Sequence, residues 1–191
     1  MIASTLPHRH PWHRRAVIPS LTLAATALLV AGCSSREAVT APEVPAGIAV
    51  PAGNKPVLRL AAEGAQIYTC QADPNAKGGF AWTSKAPEAT LFNAAHEKAG
   101  KHYAGPTWES ADGSRVVGAV KSKENSPDPD AIPWLLLEKK SSEGQGALAR
   151  VTFIQRVHTT GGKAPAGGCS ADSVGKEERV DYKADYYFYA P

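Results

Sequence analysis

The chain has 191 residues, 43% of them hydrophobic, with 21 basic and 18 acidic side chains and a net charge of +3. That length supports one domain with a substantial core, and the near balance of charge excludes the strong basic field of a nucleic-acid-binding surface.

The first 32 residues read as a segment that is removed. Arg9, Arg14 and Arg15 precede a charge-free run from Ala16 to Gly32, rich in Ala, Leu, Val and Thr. A basic start, a short apolar run and small residues at its end make a secretory signal peptide. The run is shorter than the roughly 20 apolar residues of a membrane span. It ends in Val30-Ala31-Gly32-Cys33, which resembles the lipobox of bacterial lipoproteins. That resemblance implies cleavage before Cys33 and diacylglycerol on its thiol. It also implies acylation of the new amine, the double lipid signal that stable anchoring requires. Ser34 follows where an Asp would favour inner-membrane retention, so the expected location is the outer membrane. Arg14-Arg15 resembles a twin-arginine signal, but His13 before it and the lack of a following Lys favour general secretion. His8, His10 and His13 have metal-like spacing but lie in the removed segment. Removal of residues 1–32 takes three arginines and no acid, leaving 18 basic and 18 acidic side chains on 159 residues.

Residues 33–54 then read as the lipidated Cys33 and a tether. Pro42, Pro45 and Pro51 interrupt an Ala- and Val-rich stretch with neither helical nor strand period, the composition of a semi-rigid spacer. The domain is expected over residues 55–191, and strand signals dominate it. "PVLRLAA" and "AQIYTCQA" are separated by Gly64; "FAWTS" and "ATLFN" flank "KAPE". "EATLFNAAHEKAG", ending in Gly100, is the one candidate helix. "SRVVGAV" follows the turn signal Asp112-Gly113-Ser114, and "IPWLLLE" is a short apolar run. "ALARVTFIQRVHT" is the longest candidate strand, with Val151, Phe153, Gln155 and Val157 on one face and Ile154 and Arg156 on the other. In the last segment Val180, Tyr182, Ala184, Tyr186 and Phe188 alternate with polar residues, the pattern of a half-buried strand. Gly and Pro make up about 18% of the processed chain against an average near 12%. The expected fold is therefore mainly β: a single β-sandwich or β-barrel-like domain with turn-rich loops and at most one short helix.

With Cys33 acylated, Cys70 and Cys169 remain. In an oxidising compartment they most simply pair, closing a loop of about 100 residues; two separate buried thiols are the alternative. By "GAQIYTC", "PTWESADGSRVVG", "IPWLLLE", "VTFIQRVHTTGGKAPAGGC" and "DYKADYYFY", the chain resembles domain-of-unknown-function family 3455 over residues 55–190. This is an uncharacterised family of secreted bacterial and fungal proteins. The resemblance implies an extracytoplasmic, mainly β domain. It carries no activity and no catalytic residue. Its cysteine pattern matches Cys70 and Cys169, which favours the bridge.

The remaining chemistry is sparse. His96, His102 and His158 show no metal-ligand spacing, and zinc needs three or four ligands; His102 is the one metal candidate. Ser114, His102 and Asp112 supply the residue types of a hydrolase triad, without the G-x-S-x-G elbow. "TTGGKAPAGGC" lacks the P-loop pattern and reads as a turn-rich loop delivering Cys169. Trp82, Trp108 and Trp134 either pack in the core or form a stacking platform for a ligand. Tyr187 and Tyr189 lie opposite Tyr186 and Phe188, so they face outward or into a second layer. The expected function is a lipid-anchored cell-envelope module, non-enzymatic, without a cofactor. Its partners are expected to be the membrane and an envelope glycan, small molecule or protein, with no nucleic acid. An envelope hydrolase acting on an ester or glycan and a metal-binding module centred on His102 are the competing readings.

Overall fold

A computed structural model describes Met1 and residues 38–191. The expected signal peptide and the expected lipid site at Cys33 lie outside the described residues. Residues 37–191 form one compact unit.

Eight strands make up the domain: β1 (Lys55–Ala72), β2 (Phe80–Phe92), β3 (Lys98–Tyr103), β4 (Thr107–Ser110), β5 (Arg115–Glu124), β6 (Trp134–Glu143), β7 (Phe153–Gly161) and β8 (Glu177–Ala190). Each runs antiparallel to the next, and β8 returns to pair with β1, closing an up-and-down barrel. The expectation of a mainly β, barrel-like domain holds. An eight-stranded barrel has an interior just wide enough for side chains to fill or for one small ligand to enter. No helix among the described residues is long and apolar enough to cross a membrane.

Alternation along the strands decides what fills the interior. Leu60 and Ala62 of β1, Leu91 of β2, Val116 of β5, Ile154 of β7 and Tyr186 and Phe188 of β8 meet in one inner cluster. The outer face of β1 and β8 carries crossing ion pairs, Arg59 with Asp185 and Lys183 with Glu63. Such exposed pairs hold register more than they add stability. Leu148 and Val151, fully buried in the same cluster, reach it from the β6–β7 connection and plug one end of the barrel. Asp112 and Ser114 of the β4–β5 turn fix that plug: Ala147 N–H donates to Asp112 Oδ2 at 2.8 Å and Leu148 N–H to Ser114 Oγ at 3.1 Å.

Three local expectations are corrected. The candidate helix over "EATLFNAAHEKAG" is instead the end of β2, a turn at 93–97 and the start of β3. Asn93 Oδ1 accepts the N–H groups of Ala95 and Glu97, and an Asn that takes its neighbours' backbone donors closes a turn rather than starting a helix. "ALARVTFIQRVHT" is a strand only from Phe153, because its first residues form the plug; β1, uninterrupted by Gly64, is longer. "KAPE" does not break β2. Pro87 falls where β2 pairs with β1 alone, the kind of edge on which strands tolerate proline.

The expected tether is also corrected over its described part. Val39, Val44, Ile48 and Val50 pack on the outer face of β6, β7 and β8, against Trp134, Leu136, Val157, Tyr187 and Tyr189. Ile48 sits in a short 3-10 turn and is fully buried. Gln155 Nε2 donates to the Ile48 carbonyl at 2.7 Å, and Tyr189 Oη–H donates to Gln155 Oε1 at 2.5 Å. This strap is a second, smaller core outside the barrel. It explains why both faces of β8 are buried over Tyr186–Ala190, since one faces the lumen and the other faces the strap.

Candidate functional site

β3 and β4 are short, and the barrel wall is thin where they end. β2 pairs with β3 only over Ala89–Phe92, so its first half has no ladder partner on that side. β5 pairs with β4 only through Val117, with one further bond from Gly118 N–H to the Pro106 carbonyl. Between these two edges lies a cavity of about 370 Å³. Ser84–Pro87 form one lip, Gly105 and Pro106 the base, and Val120 the other lip. Val116 and Gly118 of β5 face the lumen, and Val120 continues that face. It is nonetheless 56% exposed, because the wall opposite it stops.

The floor of the cavity is aromatic. His102 and Trp108 are cross-strand partners on the β3–β4 hairpin, stacked with ring centroids 4.4 Å apart. Tyr186 of β8 closes on both, 4.9 Å from His102 and 5.2 Å from Trp108. Gly118 makes room for this stack: a Cβ there would lie 3.0 Å from the Trp108 ring and 3.3 Å from Leu137. Glycine at this lumen-facing position therefore has a packing cause.

Charge and hydrogen bonding set the chemistry. His102 Nδ1 lies 2.8 Å from the Thr107 carbonyl, which only accepts, so Nδ1 carries the proton. Burial pulls the His102 pKa down to about 3, so the ring is neutral and Nε2 is an acceptor. Burial also raises the Tyr182 and Tyr186 hydroxyls, which stay protonated. Arg156 of β7 lines the cavity, and its Nε and Nη2 donate to the Pro133 carbonyl. It makes no ion pair among the described residues. Gln66 Nε2 and Trp108 Nε1 are buried donors with no hydrogen-bond partner there. Two more open clefts, of about 450 and 480 Å³, flank Gly64 on the barrel's outside, but their Glu63, Glu88 and Lys101 are already paired with Lys183, Arg179 and Glu109.

The triad residues do not assemble. Ser114 is fully buried and its Oγ–H donates to Asp112 Oδ1 at 2.6 Å, while His102 bonds Thr107 across the hairpin. No hydrogen bond joins His102 to either. Around His102, as elsewhere among the described residues, no group of three His, Cys, Asp or Glu side chains is placed to hold a metal.

A model of a family of proteins of unknown function, DUF3455, matches residues 51–190. The chain belongs to this family. No curated protein and no solved structure matches it. The strap residues Val39–Val50 thus precede the matched DUF3455 region.

Within the DUF3455 barrel Cys70 and Cys169 form a disulfide, with Cα atoms 5.3 Å apart across 99 positions of sequence. It ties the end of β1 to the β7–β8 connection. The aromatic platform is corrected. Trp108 is 1% exposed and Trp134 8%, the first in the lumen and the second under the strap, where Tyr187 and Tyr189 also lie. These four are not an exposed stacking surface: Trp108 points into the lumen, and the strap covers Trp134, Tyr187 and Tyr189. Trp82 is half-buried, with its Nε1–H bonded to the Gly167 carbonyl at 2.8 Å. Sequence reasoning missed Arg156 and Gln66. The available signal was Arg156 beside Ile154 on one face of β7, a charge on what proves to be the lumen side.

Proposed function

We propose that this chain is a lipid-anchored outer-membrane protein whose barrel binds a small molecule and performs no catalysis. The observation that carries the binding reading is the wall cavity. It joins an aromatic floor, lips that include Ala86, Pro87 and Val120, and unpartnered buried donors, the features of a small-molecule site. The burial of Trp108, Trp134, Tyr187 and Tyr189 turns the reading away from a surface glycan platform and toward a ligand inside the wall. The lipobox-like Val30-Ala31-Gly32-Cys33 supports the anchor.

Two experiments test these parts separately. For the anchor, Cys33→Ala should move the protein from the membrane fraction to the soluble fraction; unchanged partition with membranes refutes it. For binding, the protein isolated from envelopes should carry a stoichiometric small molecule in native mass spectrometry. Val120→Trp, which fills the mouth from an exposed lip, should lose that adduct. An adduct that survives Val120→Trp places the ligand elsewhere.

A further inference from the structure

Resting on that binding reading, we infer that the cavity takes a small organic anion, an apolar body with an acidic head group held by Arg156. The charge in the lining is of one sign. Arg156 and Lys85 border the cavity, and no Asp or Glu does. Lys85 is answered by Glu177 at 2.5 Å on the outside, whereas Arg156, bonded to the Pro133 carbonyl and beside the Tyr186 hydroxyl, has no carboxylate partner among the described residues.

A guanidinium has five N–H donors, and Arg156 directs two of them to the Pro133 oxygen. A half-buried guanidinium without a counter-charge loses water without regaining an ion pair, which is unfavourable. An incoming carboxylate or sulfonate supplies that pair in the geometry a guanidinium suits. Two further polar groups of the lining agree in sign. Gln66 Nε2 and Trp108 Nε1 are both buried donors that lack an acceptor. A ligand rich in acceptors answers them, and a cationic one meets repulsion from Arg156. The body of the ligand follows from the walls, since Pro87, Trp108, Val120, Leu135, Leu137 and Tyr186 are all apolar or aromatic. The site selects an acid with an aromatic or branched aliphatic body.

The test uses residues 37–191, a compact unit with its own core and disulfide, and two fluorescent probes built on one frame. 8-Anilinonaphthalene-1-sulfonate carries an anionic head; N-phenyl-1-naphthylamine is the same frame without it. The wild-type domain should bind the sulfonate at least about tenfold more tightly, the effect of one charge-assisted contact. Arg156→Met should erase that preference and leave the neutral probe's affinity within about twofold. Equal affinities in the wild type, or a preference unchanged by Arg156→Met, overturns the anion assignment while the binding site stands. If neither probe binds, the cavity is not a ligand site and both readings fall. If Arg156→Met does not fold, the wild-type ratio decides alone, with Val120→Trp as its control. Sulfonate binding that persists in Val120→Trp lies outside the cavity and overturns the assignment.

Discussion

His102 offers a direct test of how the lumen is built. Its ring is buried against Trp108 and Tyr186, and its pKa falls from an ordinary 6.5 to about 3. In the unfolded chain the same ring titrates near 6.5. Above that pH both states are neutral and the ring has no effect on pH dependence. Below it the unfolded state binds a proton that the folded state refuses, so stability falls with acidity until the folded ring itself titrates. At about pH 4.5 the unfolded ring has been protonated over about two pH units, which amounts to about 2.5 kcal/mol against the folded state. The folded ring is still neutral there, so the figure barely depends on the depth of the shift. The assay is urea unfolding at about pH 7.5 and pH 4.5 for the wild type and His102→Asn, which keeps a donor for the Thr107 carbonyl. The variant is less stable at both pH values because it leaves a gap in the stack. The wild type should lose about 2.5 kcal/mol more than the variant between them, since other groups cancel in the comparison. Equal losses in the two proteins, or a His102 imidazole that titrates near 6.5 in the folded protein by NMR, would refute the burial argument.

The strap, the bridge and the plug each make a further prediction. Ile48→Ala should cost about 2–5 kcal/mol in denaturant unfolding, the usual loss for a fully buried isoleucine; a free tether would lose nothing. Reduction of Cys70–Cys169 should lower stability by up to about 4.7 kcal/mol in the chain-entropy model for a loop of this length, read as a shifted urea midpoint with reductant. An unshifted midpoint would show that the bridge does not restrain the unfolded chain. Asp112→Ala removes the acceptor of the Ala147 and Ser114 amides. Hydrogen exchange at both should accelerate about tenfold, the value of one ordinary hydrogen bond, while exchange in β1 and β8 stays slow.

The barrel was legible in the sequence wherever one strand face was apolar and the other polar. The last segment is the clearest case: Tyr182, Ala184, Tyr186 and Phe188 point inward as their alternation requires. Alternation misleads where both faces of a strand are buried. Phe153, Gln155 and Val157 looked like a core face, yet they pack under the strap, and the true lumen face carries Ile154 and Arg156. The strap itself was unreadable because Val39, Val44, Ile48 and Val50 follow no period. They settle on an outer surface whose shape only the closed barrel creates. The site was hidden for a similar reason. Gln66, His102, Trp108, Val120 and Arg156 come from five strands, with no shared motif. Closure and the shortness of β3 and β4 bring them together.

The central claim, that the thin part of the wall is a small-molecule site, is best tested by indole N–H resonances. The 15N-labelled domain would be titrated with 8-anilinonaphthalene-1-sulfonate. The Trp108 indole, on the cavity floor, should shift saturably, while the Trp134 indole, under the strap on the barrel's outside, stays in place. A titration that leaves the Trp108 signal unmoved, or moves Trp134 as much, would contradict the account.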